Sequence, residues 1–205
     1  KAILPKLDSL REAIEAAEGS TTPLSSVTLL APIDEPQKYL GIGMNYAAHA
    51  EEARAAGIPI PDTQMWFNKQ VSCIVGPHAD VVRPRVSEQL DYEVELAVVI
   101  GQRCKDVPRS KARDVVAGYL VANDVSVRDW LAKRSPTFTL GKSFDTFGPM
   151  GPAVVTAEEV PDPQALDIEV RCNDEVTVRS STSRMIFGVA WLVSYLSQVT
   201  TLLPG

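Results

Sequence analysis

The sequence predicts an α+β fold that is rich in strands and carries short helices at its periphery. Strand patterns fall at about 70–76, 80–83, 90–100, 116–124 and 166–172, and short helical patterns near 110–115, 127–133 and 187–198. The strands dominate the middle of the chain without the regular strand–helix alternation of a doubly wound sheet. With 205 residues, 45% of them hydrophobic, the chain can bury a core of its own, which predicts a single compact domain.

The first 36 residues are predicted to be an appendage to a domain that covers 37–205. Ser9 and Glu12 form a capping box, which places a helix over residues 10–17, and Gly19 ends it. Residues 20–36 are rich in Pro, Ser and Thr and contain a short apolar run at 27–30, which predicts a strand between turns.

The predicted domain begins with a strand and a helix. The strand covers residues 39–43, and Asn45 is expected to cap a helix that continues to Ala56 and ends at Gly57. Prolines at positions 59 and 61 then forbid helix and predict a loop. We expect the segment 47–66 to be a mobile lid that closes over a substrate.

Charge and composition narrow the class of partner. The net charge is −6, and Lys and Arg do not cluster with interleaved aromatic residues, so we expect no nucleic acid partner. Since no apolar run approaches the length of a membrane span and no leader pattern is present, we expect no membrane partner. The three scattered cysteines indicate a reducing compartment, and we expect a cytoplasmic protein that binds small molecules.

Glu93 and Glu95 alternate with apolar residues in a strand pattern and therefore share one face. Neighbouring carboxylates repel each other, so this face is either an ordinary solvated strand surface or a cation site. A third acid, Asp124, follows the apolar run 115–122. Carboxylates without a nearby histidine suit Mg²⁺, Mn²⁺ or Ca²⁺, whereas zinc usually recruits His or Cys. We favour a hard cation bound by the three acids.

Two further motifs contain side chains that could act in catalysis or substrate binding. His49 and Glu52 are three residues apart on the predicted helix, and a carboxylate beside an imidazole raises its basicity, as a water-activating base requires. A solvated surface pair is the alternative. Lys142 lies among apolar and aromatic residues in the Gly- and Pro-rich stretch 141–152. It either reaches to the surface or holds an anionic substrate oxygen.

Five segments together resemble the fumarylacetoacetate hydrolase superfamily, especially its small domain-containing members and those similar to 2-hydroxyhepta-2,4-diene-1,7-dioate isomerase. They are Gly43-Met-Asn-Tyr-Ala-Ala-His49, Asp91-Tyr-Glu-Val-Glu-Leu96, Asn123-Asp-Val-Ser-Val-Arg-Asp-Trp130, Gly141-Lys-Ser-Phe144 and Thr182-Ser-Arg-Met-Ile-Phe187. The resemblance covers the chain from about Tyr39 to its end. It implies a mixed β-sandwich or roll, usually assembled as a homodimer.

The resemblance also implies roles for single residues. These roles are Mg²⁺ or Mn²⁺ ligands for Glu93, Glu95 and Asp124, catalysis for His49, Glu52 and Lys142, and substrate contacts for Lys69 and Arg128. Two features depart from the family pattern. Leu131 stands where many members have a glutamine, and the chain stops at Gly205, where members continue, so we expect a truncated C-terminus.

The implied chemistry passes through a metal-stabilised enolate of a 2-oxo acid. In the preferred interpretation, His49 backed by Glu52 activates water for hydrolysis of a C–C bond in an acylpyruvate or a substrate similar to fumarylacetoacetate. Oxaloacetate decarboxylation and isomerisation or tautomerisation of a 2-hydroxy-diene dioate are alternatives at the same site. A non-catalytic metal-binding homologue is the alternative from another class.

Overall fold

The computed structural model describes residues 3–60 and 62–205, and it has the strand-rich α+β architecture that the sequence predicts. Pro61, part of the predicted loop and lid, lies outside the described residues. The helices are α1 (Leu7–Glu15), α2 (Ala47–Ala55), α3 (Arg128–Lys133) and α4 (Val189–Val199). The strands are β1 (Tyr39–Gly43), β2 (Met65–Lys69), β3 (Ile74–Val75), β4 (Leu90–Asp91), β5 (Val94–Ile100), β6 (Val116–Asn123), β7 (Ser126–Val127), β8 (Gly148–Thr156), β9 (Asp167–Cys172) and β10 (Glu175–Ser181).

A four-stranded sheet with the order β3-β8-β6-β5 lies at the centre. Both β5 and β8 run antiparallel to β6, while β3 pairs in parallel with the start of β8. Strands β6 and β8 approach closely at Gly118, where a Cβ would lie 2.1 Å from the carbonyl oxygen of Val155. Three two-stranded ribbons, β1-β2, β4-β7 and β9-β10, flank this sheet.

Each face of the central sheet packs against its own apolar cluster. On one face, Tyr119 of β6 contacts Val189 and Val193 of α4. On the other face, Leu120 clusters with Ile33, which belongs to the predicted N-terminal appendage. Burial on both faces explains why β6 is an almost continuous apolar run in the sequence. The division at residue 36 stays a prediction.

Two elements of the first 36 residues differ from the prediction. Helix α1 begins earlier than residue 10, because Ser9 lies inside it and its hydroxyl donates to the Lys6 carbonyl (2.9 Å) instead of capping the helix. Residues 27–30 follow a 3-10 turn at Leu24–Ser26 and pair with no strand in the described chain. Leu30 is 77% exposed, so burial does not favour a strand there.

The strands predicted at 70–76 and 80–83 are largely wrong. Only Ile74–Val75 of the first range is a strand, preceded by a 3-10 turn at Val71–Cys73, and residues 80–83 are not in a strand. Strands β2, β7, β8 and β10 were not predicted. Strand β8 is hidden by its prolines. The register with β6 shifts between Tyr119 and Val121, which leaves Pro152 outside that hydrogen-bonded ladder.

The following predicted helices and strands agree with the structure. Helices α3 and α4 and a 3-10 turn at Arg109–Val115 occupy the predicted ranges, and β6 and β9 match their predicted strands. No helix in the described ranges is long and apolar enough to cross a membrane.

Candidate active site

The acids predicted to bind a cation lie where the start of β5 meets the end of β6. The strand predicted at 90–100 is interrupted between Asp91 and Val94, and Glu93 lies in this break. The backbone N–H of Asp124 donates to the Glu93 carbonyl (2.8 Å), and the Glu93 N–H donates to Asn123 Oδ1 (3.1 Å). These bonds hold two of the predicted ligands side by side.

Lys142 is buried between these acids, and its side chain is only 6% exposed. Its Nζ donates to Asp124 Oδ2 (2.6 Å), Ser126 Oγ (2.8 Å) and Glu93 Oε2 (3.0 Å). An ammonium group has three N–H donors, so every donor of Lys142 has an acceptor inside the protein. Of the two alternatives for Lys142, its burial excludes the one in which it reaches to the surface.

Lys69, at the end of β2, binds one of these acids, Asp124, through its other carboxylate oxygen. Its side chain is 1% exposed, and its Nζ donates to Asp124 Oδ1 (2.6 Å), to the Val125 carbonyl (3.3 Å) and to the Lys142 carbonyl. Its three donors are therefore also in use. In this arrangement Lys69 holds Asp124 and the Lys142 backbone in place. Its predicted contact with substrate stays a prediction.

Arg128, the first residue of α3, binds the remaining oxygen of Glu93. Its guanidinium lies 2.8 Å from Glu93 Oε1 and 2.8 Å from Asp91 Oδ2. The Arg128 side chain is 41% exposed, unlike the two lysines. Because a guanidinium carries five donors, Arg128 can bind these acids and still offer donors to a substrate.

Glu95 is the acid without a cationic partner. Its carboxyl group makes no hydrogen bond or ion pair with any described residue, although the charges of Glu93 and Asp124 are near enough to act on it. Burial, together with the charges of Asp124 and Glu93, raises the pKa of Glu95 to about 8, although the positive charge of Lys142 opposes the shift. Any additional positive charge near a carboxyl group in this position stabilises its ionised form.

Glu95 and Asp124 line one end of a cavity of about 230 Å³. Lys69 and Tyr39 complete this polar end, while apolar residues of β5, β6 and α4 line most of the rest. Burial raises the pKa of Tyr39, and the Asp124 charge adds to this effect, so its hydroxyl stays protonated and can donate a hydrogen bond. Apolar walls with a few convergent polar groups are typical of sites for small organic molecules.

The predicted dyad lies apart from the acids. His49 and Glu52 are on α2, with His49 Nδ1 3.8 Å from Glu52 Oε2, and their side chains are 55% and 79% exposed. Neither lines the cavity that Glu95 and Asp124 line. The buried side of α2 is formed by Ala50 and Ala53. The structure therefore brings the acids and lysines together but leaves the dyad outside this cluster.

Asn45 does not cap α2, contrary to the prediction. It is buried, its Oδ1 accepts from the Phe187 N–H (2.8 Å), and its Nδ2 donates to the Phe187 carbonyl (3.0 Å). The helix begins after Tyr46, without a side-chain cap. Asn45 instead connects the N-terminus of α2 to the segment that precedes α4. The prediction failed because this partner lies far away in sequence.

Ser126 and Asp91 belong to the cluster although sequence reasoning gave them no role. Ser126 is fully buried on β7, and its hydroxyl accepts from Lys142 and donates to the Asp124 carbonyl (3.0 Å). A polar residue between two valines, two positions after Asp124, was the available signal. Asp91 gave none beyond its charge.

The donor set is chemically suited to a hard cation, because three carboxyl groups supply oxygen and Glu95 gains from added positive charge. Within the described ranges, however, no three Asp, Glu, His or Cys side chains already form a complete ligand set. Lys142 lies between Glu93 and Asp124. The assignment of Glu93, Glu95 and Asp124 as ligands therefore stays a prediction.

Comparison with known proteins supplies the family. The family described as fumarylacetoacetate (FAA) hydrolase C-terminal matches residues 38–205. The human protein named mitochondrial oxaloacetate tautomerase FAHD2B is 46% identical over 191 residues, which are 93% of this chain and 60% of that protein.

Two solved structures are also similar. Maleylpyruvate hydrolase from Sphingobium sp. SYK-6, in complex with manganese(II) ion and pyruvate, is 33% identical with a TM-score of 0.86, covering 100% of this chain and 71% of that one. The 2-hydroxyhepta-2,4-diene-1,7-dioate isomerase from Mycobacterium marinum is 38% identical with a TM-score of 0.79, covering 91% and 67%. The chain belongs to the fumarylacetoacetate hydrolase C-terminal domain family.

Proposed function

We propose that this chain is the catalytic part of a divalent-metal-dependent enzyme that hydrolyses a C–C bond in an acylpyruvate or a substrate similar to fumarylacetoacetate. The observation that carries the proposal is that Asp124, which lines the cavity together with Glu95, is bridged to Glu93 by the buried ammonium group of Lys142. Mg²⁺ is the proposed cofactor, with Mn²⁺ as its substitute. The manganese ion and pyruvate in the similar maleylpyruvate hydrolase support both the metal and the substrate class.

Glu93, Glu95 and Asp124 would hold the cation, which supplies Lewis acidity that stabilises the enolate form of a 2-oxo acid. Lys142 would donate to a substrate oxygen. Arg128, partly exposed and rich in donors, is placed to bind a substrate carboxylate.

His49 would take the proton from the attacking water, and Glu52 would orient its imidazole. Their present separation of 3.8 Å exceeds a hydrogen bond, so the pair must tighten for catalysis. Movement of residues 47–66 over the cavity would bring His49 to the acids and exclude bulk water.

Proton transfer without hydrolysis is the second candidate. Tautomerisation or isomerisation of a 2-oxo acid, like decarboxylation of oxaloacetate, needs the enolate but no activated water. The exposed position of His49 and Glu52, outside the cavity, favours this alternative. The names of the human tautomerase and the mycobacterial isomerase agree with it.

Turnover of a panel of 2-oxo acids tests the proposal. Acylpyruvates, oxaloacetate and 2-hydroxy-diene dioates are each assayed with Mg²⁺ and with excess chelator. We expect metal-dependent release of pyruvate from an acylpyruvate as the fastest reaction. Faster tautomerisation or isomerisation would favour the second candidate, and no turnover of any member would favour a non-catalytic homologue. We also propose that the protein is a homodimer. Size-exclusion chromatography with light scattering, which measures the molar mass, tests this.

A further inference from the structure

The four carboxylate oxygens of Glu93 and Asp124 each contact a cationic side chain. Glu93 Oε1 binds Arg128 and Asp124 Oδ1 binds Lys69, at 2.8 and 2.6 Å. The other two oxygens, Glu93 Oε2 and Asp124 Oδ2, both bind Lys142, at 3.0 and 2.6 Å. Lys142 is therefore the cation that bridges the two acids.

A divalent cation bound between these acids needs oxygens at about 2.1 Å for Mg²⁺. Sharing Oε2 and Oδ2 would put it within a few ångströms of the Lys142 ammonium, where like charges repel strongly. Lys69 is fixed by three acceptors, two of which are backbone carbonyls outside the proposed carboxylate ligand set. Lys142 depends on the two acids for two of its three acceptors. It is thus the donor that cation binding displaces most directly.

We propose that Lys142 and the divalent cation compete for Glu93 and Asp124, and that Lys142 leaves both acids when the cation binds. Its bond to Ser126 keeps the ammonium at the site, while two of its N–H groups become free for a substrate oxygen. Lys142 then binds substrate only after the cation has bound. This inference rests on the proposed function, because it assumes that these acids hold a cation.

Mn²⁺ titration of the Lys142→Met variant by calorimetry tests the competition. Removing the competitor should tighten Mn²⁺ binding on the order of 5- to 150-fold, the usual range of coupling between two sites. Oxalate, added at saturating Mn²⁺, should bind more weakly to this variant than to the wild type. Lys111→Met is the matched control. Lys111 is 70% exposed and 3.3 Å from Asp114, and its loss should leave both affinities unchanged.

Amine methylation of the wild-type protein tests the release itself. Formaldehyde with cyanoborohydride, followed by peptide mass spectrometry, should modify Lys142 faster with Mn²⁺ than with chelator, while Lys111 reacts equally in both. Equal rates at Lys142, or equal or weaker Mn²⁺ binding by Lys142→Met, would overturn the inference. Failure of the wild type to bind Mn²⁺ would instead overturn the proposed metal site.

Discussion

The two halves of the candidate site are built in opposite ways. In the acid–lysine network (Lys69, Asp91, Glu93, Asp124, Ser126, Arg128 and Lys142), the side chains of Lys69, Lys142 and Asp124 are 1%, 6% and 9% exposed. In the His49–Glu52 pair the exposures are 55% and 79%, and the two groups are 3.8 Å apart. Both lysines of the network have all three donors in use, whereas the pair lies on a helix surface. Chemistry that needs only the network is therefore less sensitive to motion than chemistry that needs both.

The largest expected effect comes from breaking the network. Asp124→Ala leaves the ammonium groups of Lys69 and Lys142 short of an acceptor in a buried site, and should lower the free energy of unfolding by about 3–5 kcal/mol. Urea denaturation in the presence of chelator measures this loss. Asp114→Ala is the control. Asp114 pairs with Lys111 at 3.3 Å with both side chains exposed, so its loss should cost less than about 1 kcal/mol. Similar losses in the two variants would mean that burial does not distinguish the pairs.

Substitution in the exposed His49–Glu52 pair should lower catalytic activity and leave the stability of the fold unchanged. If hydrolysis is the native reaction, His49→Ala should lower kcat for an acylpyruvate by roughly 10²–10⁴-fold, as the loss of a general base does. Mn²⁺ affinity and the urea midpoint should not change, and oxaloacetate decarboxylation should largely survive. Glu51→Ala, on the same exposed helix, is the control. Hydrolysis that persists in His49→Ala but is lost in Glu93→Gln would make decarboxylase or tautomerase the better interpretation.

Glu95, beside the network, should make both Mn²⁺ affinity and stability depend on pH, because its carboxyl group can bind a proton. The expected effect is intermediate in size. The pKa of Glu95 is raised to about 8, so below this pH a cation must displace its proton. Mn²⁺ affinity should therefore fall by roughly tenfold for each pH unit below 8 and level off above it.

The stability of the metal-free protein should also depend on pH, because the folded protein holds the Glu95 proton more tightly than the unfolded chain does. Its stability should then decrease as pH rises from about 4.5 to 8. Calorimetric Mn²⁺ titrations and urea midpoints at several pH values measure both trends. Glu95→Gln should remove them, and an unchanged pH dependence in that variant would assign the proton to another group.

The smallest effect concerns motion of the exposed half. Amide hydrogen exchange of residues 47–66 should slow by a few-fold when Mn²⁺ and oxalate are added, since closure over substrate orders a lid. Amides of β6 serve as the internal reference, because that strand is paired on both sides. Equal exchange of residues 47–66 in both states would count against a lid.

The sequence by itself determined the features that depend on local pattern. The apolar run 115–122 predicted β6, local strand and helix patterns predicted β9 and α4, and Asp124 stands directly after β6 as expected. The break at Glu93 was not predicted, because it depends on hydrogen bonds to Asn123 and Asp124.

Only the tertiary structure decided which side chains meet. Strand β8 was hidden by its prolines, of which Pro152 is left outside the ladder by the register shift of β6. The three acceptors of Lys142 come from a strand break, a strand end and β7, and those of Lys69 come from residues 55–73 positions away. A sequence pattern reports which groups are present and which face of an element they share. It does not report contacts between distant segments, because packing of the whole chain sets those contacts.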